Sequence, residues 1–334
     1  MTREHAADLH LHSHWSDADP HLSPDLICAQ AKKAGLAHIS ITDHDNLLPL
    51  ELCLELSKKH DIDLIPGCEF STLWTDPDSG EPAIVHISGH WLDHSDPVLK
   101  QILAYNQSLN FEGYVKEMLH RYNKLLPADK KIDVDTAYEE IPKMHPEAVH
   151  RGKRDAVHFL VSHDLAPSAQ FAYDQLAFGG EAHVSPTKLL PFAPMEEVVA
   201  AITRLSLSTL NHLYYSHLSP SGNQALLRSF KEQGGQCLET VYSPYGPEKR
   251  SQLFQCCVDY DLLPNCGSDR HDESRSFLLG PDLIFRMLKQ RQLDQYGTLH
   301  TESWRYVLRQ KQARIWKDTE QGQIEISPSE LIVP

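Results

Sequence analysis

The stretch DLHLHSHWSD, residues 8–17, sets His10, His12 and His14 at alternate positions and follows them with Asp17. Residues two apart on a β-strand share a face, so these imidazoles converge on one point. Further candidates close later apolar runs: His44 in ITDHD, Glu69 in PGCEFST, His86 in VHISG, His212 in STLNHL, and Asp269 with His271 in CGSDRHD. A single histidine is ordinary core or surface filler, but a set of this size, each at the end of a strand-like run, is not. Leaving His14 aside, the set holds six imidazoles and three carboxylates, more than one tetrahedral zinc can take. Mixed nitrogen and oxygen donors suit two or three borderline divalent ions, manganese first, with iron or zinc as alternatives, and one carboxylate should bridge them. Such a cluster lowers the pKa of bound water and clamps the attacking and leaving oxygens of a phosphoryl transfer. The expected chemistry is hydrolysis of a phosphoester.

The elements that must position these residues can be read around them. LSPDLICAQAKKAGL has a capping Ser23, Pro24 in the first turn and Gly35 as a stop, which predicts a helix turning Leu26, Ile27 and Ala34 inward. AHISITDHD, IDLIPGCEFST and PAIVHISGHWL read as strands, with LELCLELSKKH as a helix between the first two. This alternation predicts parallel strands joined by helical crossovers. From Asp96 to Phe178 the pattern changes to helices without strands, as in PVLKQILAYNQSLNFEGYVKEMLHRYNKLL and KRDAVHFLVSH, which reads as an insertion. Strand–helix alternation then resumes through LSLSTLNHL, QCLETVYS and LLPNCGSD. About seven strands favour barrel closure over an open sheet, and the C-terminal rim of such a barrel gathers residues scattered along the chain. The expected division is a barrel from 1–95 and 183–285, a helical insertion at 96–182, and an extension at 286–334 with LIFRMLKQRQL helical and IEISPSELIVP a short edge strand.

The chain has 334 residues and a formal charge of −15, so its field repels long polyanions and any contact with nucleic acid must be local. Seven cysteines form no CxxC pair, which suits buried thiols in a reducing cytoplasm better than a disulfide framework or a thiolate zinc site. No run approaches a membrane span and the N-terminus lacks a leader pattern, so a cytoplasmic protein without membrane association is expected.

Taken in order, DLHLHSHWSD, ITDHD, PGCEFST, VHISG and CGSDRH resemble the motifs of the polymerase and histidinol phosphatase (PHP) family, over residues 6 to 280. The chain is similar in particular to the branch that dephosphorylates 3′,5′-bisphosphonucleotides and trims short RNA from phosphorylated 5′ ends. The resemblance implies a distorted (β/α)7 barrel with a trinuclear centre. It places His10, His12, Glu69 and Asp269 on one ion, Glu69, His86 and His212 on a second, and Asp17, His44 and His271 on a third. Glu69, Asp17, His271 and Arg270 would then serve catalysis on a nucleotide or short oligonucleotide. No long duplex is expected as substrate, and no protein partner is indicated. His14 and His90 have no ligand counterpart in the family, while Asp43 and Asp45 are expected to orient His44 or cap a turn.

Two departures from the family pattern matter. The proline that usually follows the later histidine is missing in STLNHLYYSHLSP, leaving His212 and His217 as rival ligands, with His212 preferred because it ends the apolar strand directly. In the insertion, Lys153 and Asp155 stand where the branch carries an Arg-x-His phosphate grip. Phosphate recognition is therefore expected from Arg151, Arg154 or Arg270, whose guanidinium forks suit bidentate contacts. The rival activities are hydrolysis of a small metabolite such as histidinol phosphate, and service as a nuclease or interaction module of a larger assembly.

Overall fold

The computed structural model describes residues 6–109, 111–144, 146, 151–280 and 282–296, and the backbone of 315–319 and 322–326. Strand β1 (Ala6–Leu11) is followed by α1 (Pro24–Ala34), β2 (Leu36–Ile41), α2 (Leu50–His60), β3 (Asp63–Thr75) and β4 (Pro82–His90). Local chemistry explains α1: the Ser23 side chain accepts from the Leu26 amide, and Gly35 ends the helix at φ 88°, where a side chain would be strained. Its buried face is Pro24, Ile27, Cys28 and Ala31; Leu26 and Ala34, expected to face inward, are only half-buried because they lie beside this i, i+3, i+4, i+7 stripe.

Five helices follow: α3 (Pro97–Ser108), α4 (Glu112–Leu125), α5 (Val134–Met144), α6 (Lys153–Ser162) and α7 (Ala169–Leu176). The chain then returns through α8 (Met195–Thr203), β5 (Leu207–Leu210), α9 (Pro220–Glu232), β6 (Cys237–Tyr242), α10 (Pro247–Asp259), β7 (Leu263–Gly267) and α11 (Asp282–Tyr296). A separate two-stranded sheet pairs β8 (Ile315–Thr319) with β9 (Gly322–Ile326). The beginning of IEISPSELIVP lies in β9, and its remainder lies outside the described residues.

The seven-stranded sheet runs β1 to β7 in sequence order. It comes close to closing on itself: the Asp269 amide donates to the His10 carbonyl at 2.8 Å, and the His12 amide to the Arg270 carbonyl at 3.1 Å. The expectation of uniformly parallel strands is corrected here. β4 lies antiparallel to both β3 and β5, while the remaining neighbours are parallel. The physical reason is length. Only residues 76–81 separate β3 from β4, enough for a hairpin and too few for a helical crossover.

The same hairpin alters where the candidate residues sit on their strands. β3 is 13 residues long, and Glu69 and His86 occupy its middle and the middle of β4 rather than strand ends. The far half of the hairpin projects past the barrel rim, where Leu73 and Ile84 pack against the insertion and the Leu73 amide donates to the Ala193 carbonyl at 3.0 Å. The rim thus crosses this hairpin halfway along.

Separate apolar clusters flank the sheet. One joins β3 and β4 to α3, α8, α9 and α10 through Phe70, Ile87, Leu99, Val198, Leu226 and Leu253. A second, from Phe111 to Phe192, is internal to the insertion and includes Met118, Leu119, Ile141, Phe159 and Leu160. Helix α3 therefore packs with the barrel through Leu99, Ile102 and Leu103, and the insertion's own core begins after it. No helix among the described residues is long and apolar enough to cross a membrane, and all seven cysteines are unpaired.

Candidate metal centre

β1 carries His10 to the rim and stops at Leu11, leaving His12 just beyond it. The chain turns at once because Asp43 captures it. Asp43 Oδ1 accepts from the Ser13 amide at 2.6 Å and the Ser16 hydroxyl at 2.7 Å, while Oδ2 accepts from the Ser13 hydroxyl at 2.6 Å. That turn swings Asp17 back over His12, and it diverts His14, whose Nδ1 lies 3.2 Å from the Pro20 carbonyl oxygen. Asp45 serves another turn, accepting from the Ser71 amide at 3.0 Å and from Asn106 Nδ2 at 2.6 Å. His90 is buried and donates from Nε2 to the Leu9 carbonyl at 2.8 Å. Burial pushes its pKa down to about 4, so it stays neutral.

The nine candidate ligands meet at one end of the barrel. Glu69, fully buried, lies at the centre. Its Oε2 is 3.1 Å from His10 Nε2, 3.2 Å from His12 Nε2 and 3.2 Å from His44 Nδ1. Its Oε1 is 3.1 Å from His212 Nε2 and 3.4 Å from His86 Nδ1. Asp269 Oδ1 faces His12 Nε2 at 3.2 Å and His271 Nδ1 at 3.2 Å. Asp17 Oδ1 faces His271 Nε2 at 3.0 Å, and its Oδ2 faces His44 Nε2 at 3.6 Å. Three overlapping donor groups result: His10, His12, Glu69 and Asp269; His12, Asp17, His44 and His271; and His44, Glu69 and His86, with donor atoms within 4.8 Å of one another in each. His12 and His44 each belong to two groups, a sharing absent from the expected partition, in which Glu69 alone bridges two ions. His217 is elsewhere, stacked on Phe178.

His212 Nε2 is hydrogen-bonded to Glu69 Oε1, but hydrogen bonds do not account for the cluster as a whole. His12 Nδ1, Asp17 Oδ1, Glu69 Oε2 and His86 Nδ1 are buried without a hydrogen bond, and His10 and His12 aim their Nε2 atoms at one another 3.1 Å apart. Buried polar atoms are normally satisfied. Lone pairs converging from several sides on shared points fit divalent cations, and nitrogen with carboxylate oxygen is the donor set of borderline metals. The backbone is bent to this end: His212 has φ 24° and Asp269 φ 53°, left-handed values that non-glycine residues adopt at a cost of about 1–3 kcal/mol.

The electrostatics follow the same geometry. Burial works against charge on Asp17, yet His271 and His44 outweigh it and hold its carboxyl well below the usual range. Asp269 is held down in the same way by His271, His10 and His12. His271 is pushed up to about 9, because Asp17 and Asp269 together overcome the effect of burial.

Four residues not singled out from the sequence support the cluster. Glu239, on β6, accepts from His10 Nδ1–H at 2.8 Å and from the His212 amide at 2.8 Å, fixing the ring of one candidate ligand and the backbone of another. Asn211 donates to Glu69 Oε1 at 2.6 Å. The Tyr242 hydroxyl donates to Asp269 Oδ2 at 2.8 Å, and Arg275 donates to the same oxygen at 3.1 Å. A signal for Glu239 was present: an acidic residue in the middle of the apolar run QCLETVYS, on a strand buried at every position. Gly267 leaves room for this pair, since a Cβ there would lie 2.2 Å from His10 Cβ and 2.6 Å from Glu239 Oε1.

Supporting carboxylates of this kind typically carry about 10–100-fold in metal affinity or activity. Glu239→Gln is therefore expected to weaken metal binding by that factor, with little change in melting temperature. A metal titration of wild type and variant checks it, and unchanged affinity would refute the role.

The arginines expected to hold phosphate occupy different settings. Arg154 is buried and donates to the Ala18 carbonyl at 2.7 Å and to Asp155 at 3.2 Å, bracing the loop that carries Asp17. Arg151 lies 3.5 Å from Asp155. Arg270 turns its guanidinium onto the Phe277 ring at 4.5 Å and donates from Nε to the Arg275 carbonyl at 2.8 Å, with no described side-chain contact to the cluster. The reason lies in the backbone. The Arg270 carbonyl is bonded back to β1, and the side chain leaves on the opposite side of the chain from Asp269 and His271. Lys153 instead approaches the centre from α6, its Nζ 5.0 Å above the Tyr173 ring and within the field of Asp17.

A sequence profile for the PHP domain matches residues 8–126. The chain is 25% identical over 278 residues to the 5′-3′ exoribonuclease Rnm of Escherichia coli, covering 82% of this chain and 88% of that protein. It is 23% identical over 283 residues to a 5′-3′ exoribonuclease of Haemophilus influenzae, covering 85% and 95%. Among solved structures, an amidohydrolase from Chromobacterium violaceum with bound sulfate superposes with a TM-score of 0.69 at 21% identity, over 86% of this chain and 96% of that one. A Bifidobacterium adolescentis protein described as a metal-dependent phosphoesterase gives 0.68 at 22%, over 85% and 96%. These two likenesses establish the shared fold.

Proposed function

Since this chain carries a PHP domain, we propose that it is a metal-dependent phosphoesterase that cleaves phosphate esters of nucleotides or of the 5′-phosphorylated ends of short oligonucleotides. The observation that carries the reading is the meeting of three overlapping donor groups, two of which share the buried Glu69, with several donor atoms that no hydrogen bond satisfies. His10, His12, Glu69 and Asp269 would hold one ion, Glu69, His86 and His212 a second, and Asp17, His44 and His271 a third. Manganese, iron and zinc all suit this donor set. When bound, such ions supply the Lewis acidity that makes water nucleophilic at neutral pH and neutralises charge on a phosphoryl group.

The chain's own residues supply orientation and charge. Glu69 links the donor groups from the floor, while Asp17 and His271 form the outer wall at about one-quarter exposure, where a phosphoryl group can enter. Glu239 and Asn211 fix the His10 ring and the Glu69 carboxylate against rotation. Arg154 acts on substrate through the Asp17 loop that it braces, Arg151 stands behind it on Asp155, and Lys153 is a cation placed to meet a phosphate. The backbone of Arg270 serves the reaction by pinning His271 to β1.

The oligonucleotide class is supported by the exoribonuclease relatives, which align over most of their length. Net acidity favours short ends over long polymers. Unpaired cysteines throughout suit a reducing compartment such as the cytoplasm. The test is kcat/KM, after loading with each metal in turn, for adenosine 3′,5′-bisphosphate, a 5′-phosphorylated dinucleotide, histidinol phosphate and a chromogenic monoester. The first two are expected to lead by at least about tenfold, since binding energy from a second phosphate can accelerate the reacting one. Histidinol phosphate as best substrate would replace the nucleotide reading with a metabolite phosphatase.

A further inference from the structure

Beside the donor cluster lies a group of aromatic rings that the hydrolytic reading leaves without a task. The segment after β5, residues 213–216, is a single 3-10 turn flanked by His212 at φ 24° and His217 at φ 53°. It sets the Tyr215 ring 5.4 Å from His212 and 5.7 Å from His217. From the insertion, Phe178 stacks on His217 with centroids 4.1 Å apart and planes 13° apart. Tyr173, on α7, meets Tyr215 hydroxyl to hydroxyl at 3.2 Å, and Lys153 covers Tyr173. The rings therefore run outward from a candidate ligand in an unbroken path, built half by the barrel and half by the insertion. Yet they are not core: Tyr215 is 49% exposed and Phe178 is 64% exposed.

Exposed flat rings in contact with one another, beside an ammonium and leading from a phosphoesterase centre, are the parts of a single-stranded nucleic-acid platform. Successive bases stack on such rings while a cation tracks the backbone, and the arrangement tolerates any base because every base has a π-face. Burial and the neighbouring His183 and Lys153 lower the pKa of His217, so its ring stacks in the neutral form. A paired base could not present its face to this shelf, which selects for unpaired ends.

Resting on the phosphoesterase reading above, we propose that Tyr215, His217 and Phe178 form the seat for an unpaired nucleobase of the substrate next to the scissile phosphate, with Lys153 beside its backbone. The shelf would make the enzyme responsive to the presence of a base and indifferent to its identity.

The experiment compares 5′-phosphorylated RNA trinucleotides with and without an abasic residue at the first or second position, using the metal-loaded full chain. Wild type is expected to lose about 30-fold in kcat/KM when the base seated on the shelf is removed, the middle of the range for aromatic stacking. Tyr215→Ala and Phe178→Ala should bring the ratio towards one, and Tyr215→Phe, which keeps the ring, should preserve it. A 2-aminopurine at the same position, in an oligonucleotide blocked by phosphorothioates, should be quenched on binding to wild type and less so by the alanine variants. Equal rates on base-bearing and abasic substrates would overturn the shelf while leaving the phosphoesterase reading intact. Hydrolysis of other esters with none of phosphorylated oligonucleotides would overturn the substrate reading instead. The fluorescence titration would then decide the shelf by itself, absence of quenching counting against it.

Discussion

Glu69→Gln is expected to strip the protein of most of its metal and to lower phosphoesterase activity by about 10³-fold or more. The residue is fully buried, and its two oxygens face five imidazoles at 3.1 to 3.4 Å. Glutamine keeps the volume but removes the charge. It also offers an amide where Asn211 already donates at 2.6 Å, so one orientation sets donor against donor and the other turns N–H groups towards the imidazoles. A cluster that depends on one bridging carboxylate loses electrostatic stabilisation at several ions together, and a single lost contact of this kind already costs about 10²–10³ in kcat. Elemental analysis should fall from two or three ions per chain to one or fewer, with circular dichroism of the barrel retained. A variant that keeps both its metal and its activity would remove Glu69 from the centre of the mechanism.

A second large effect, about 10²–10³ in kcat, is expected for Asp17→Asn. Asp17 reaches His271 at 3.0 Å and His44 at 3.6 Å from a loop rather than a strand, and its side chain is 25% exposed, against 0% for Glu69. It therefore belongs to the most open part of the donor cluster, the side from which the proposed substrate would approach, and little packing depends on it. Turnover should fall far more than melting temperature, and the loss should shrink as metal concentration rises if the outermost ion is still able to bind weakly. A parallel loss of activity and stability would make Asp17 a structural residue, while full activity would show that its ion plays no part in the reaction.

Residue type and spacing singled out nine candidate donors before any fold was known, because side chains able to hold a metal are few in kind and several here close runs with clear strand character. The α1 helix and its caps were equally legible, since Ser23, Pro24 and Gly35 act within a few residues of where they stand. For Glu69 and His86 the expected place at a strand end is corrected. Both lie mid-strand, since the β3–β4 hairpin overshoots the rim. The supporting residues were harder to find, as Glu239 is separated from His10 by 229 positions and only closure of the sheet brings them together.

By itself, then, the sequence determined what depends on local chemistry: the α/β alternation, the run of helices between β4 and β5, the donor types and the hydrolytic chemistry that such donors support. Tertiary structure decided what depends on direction and distance. It separated His212 from His217 by pointing only the former at Glu69, and it sent the Arg270 side chain to Phe277 while its neighbours Asp269 and His271 entered the cluster. It also gathered Tyr215, His217 and Phe178 from two distant segments onto one exposed face. Side chains adjacent in sequence leave the backbone in different directions, and which of them meets a given site is set by how the strands close around it.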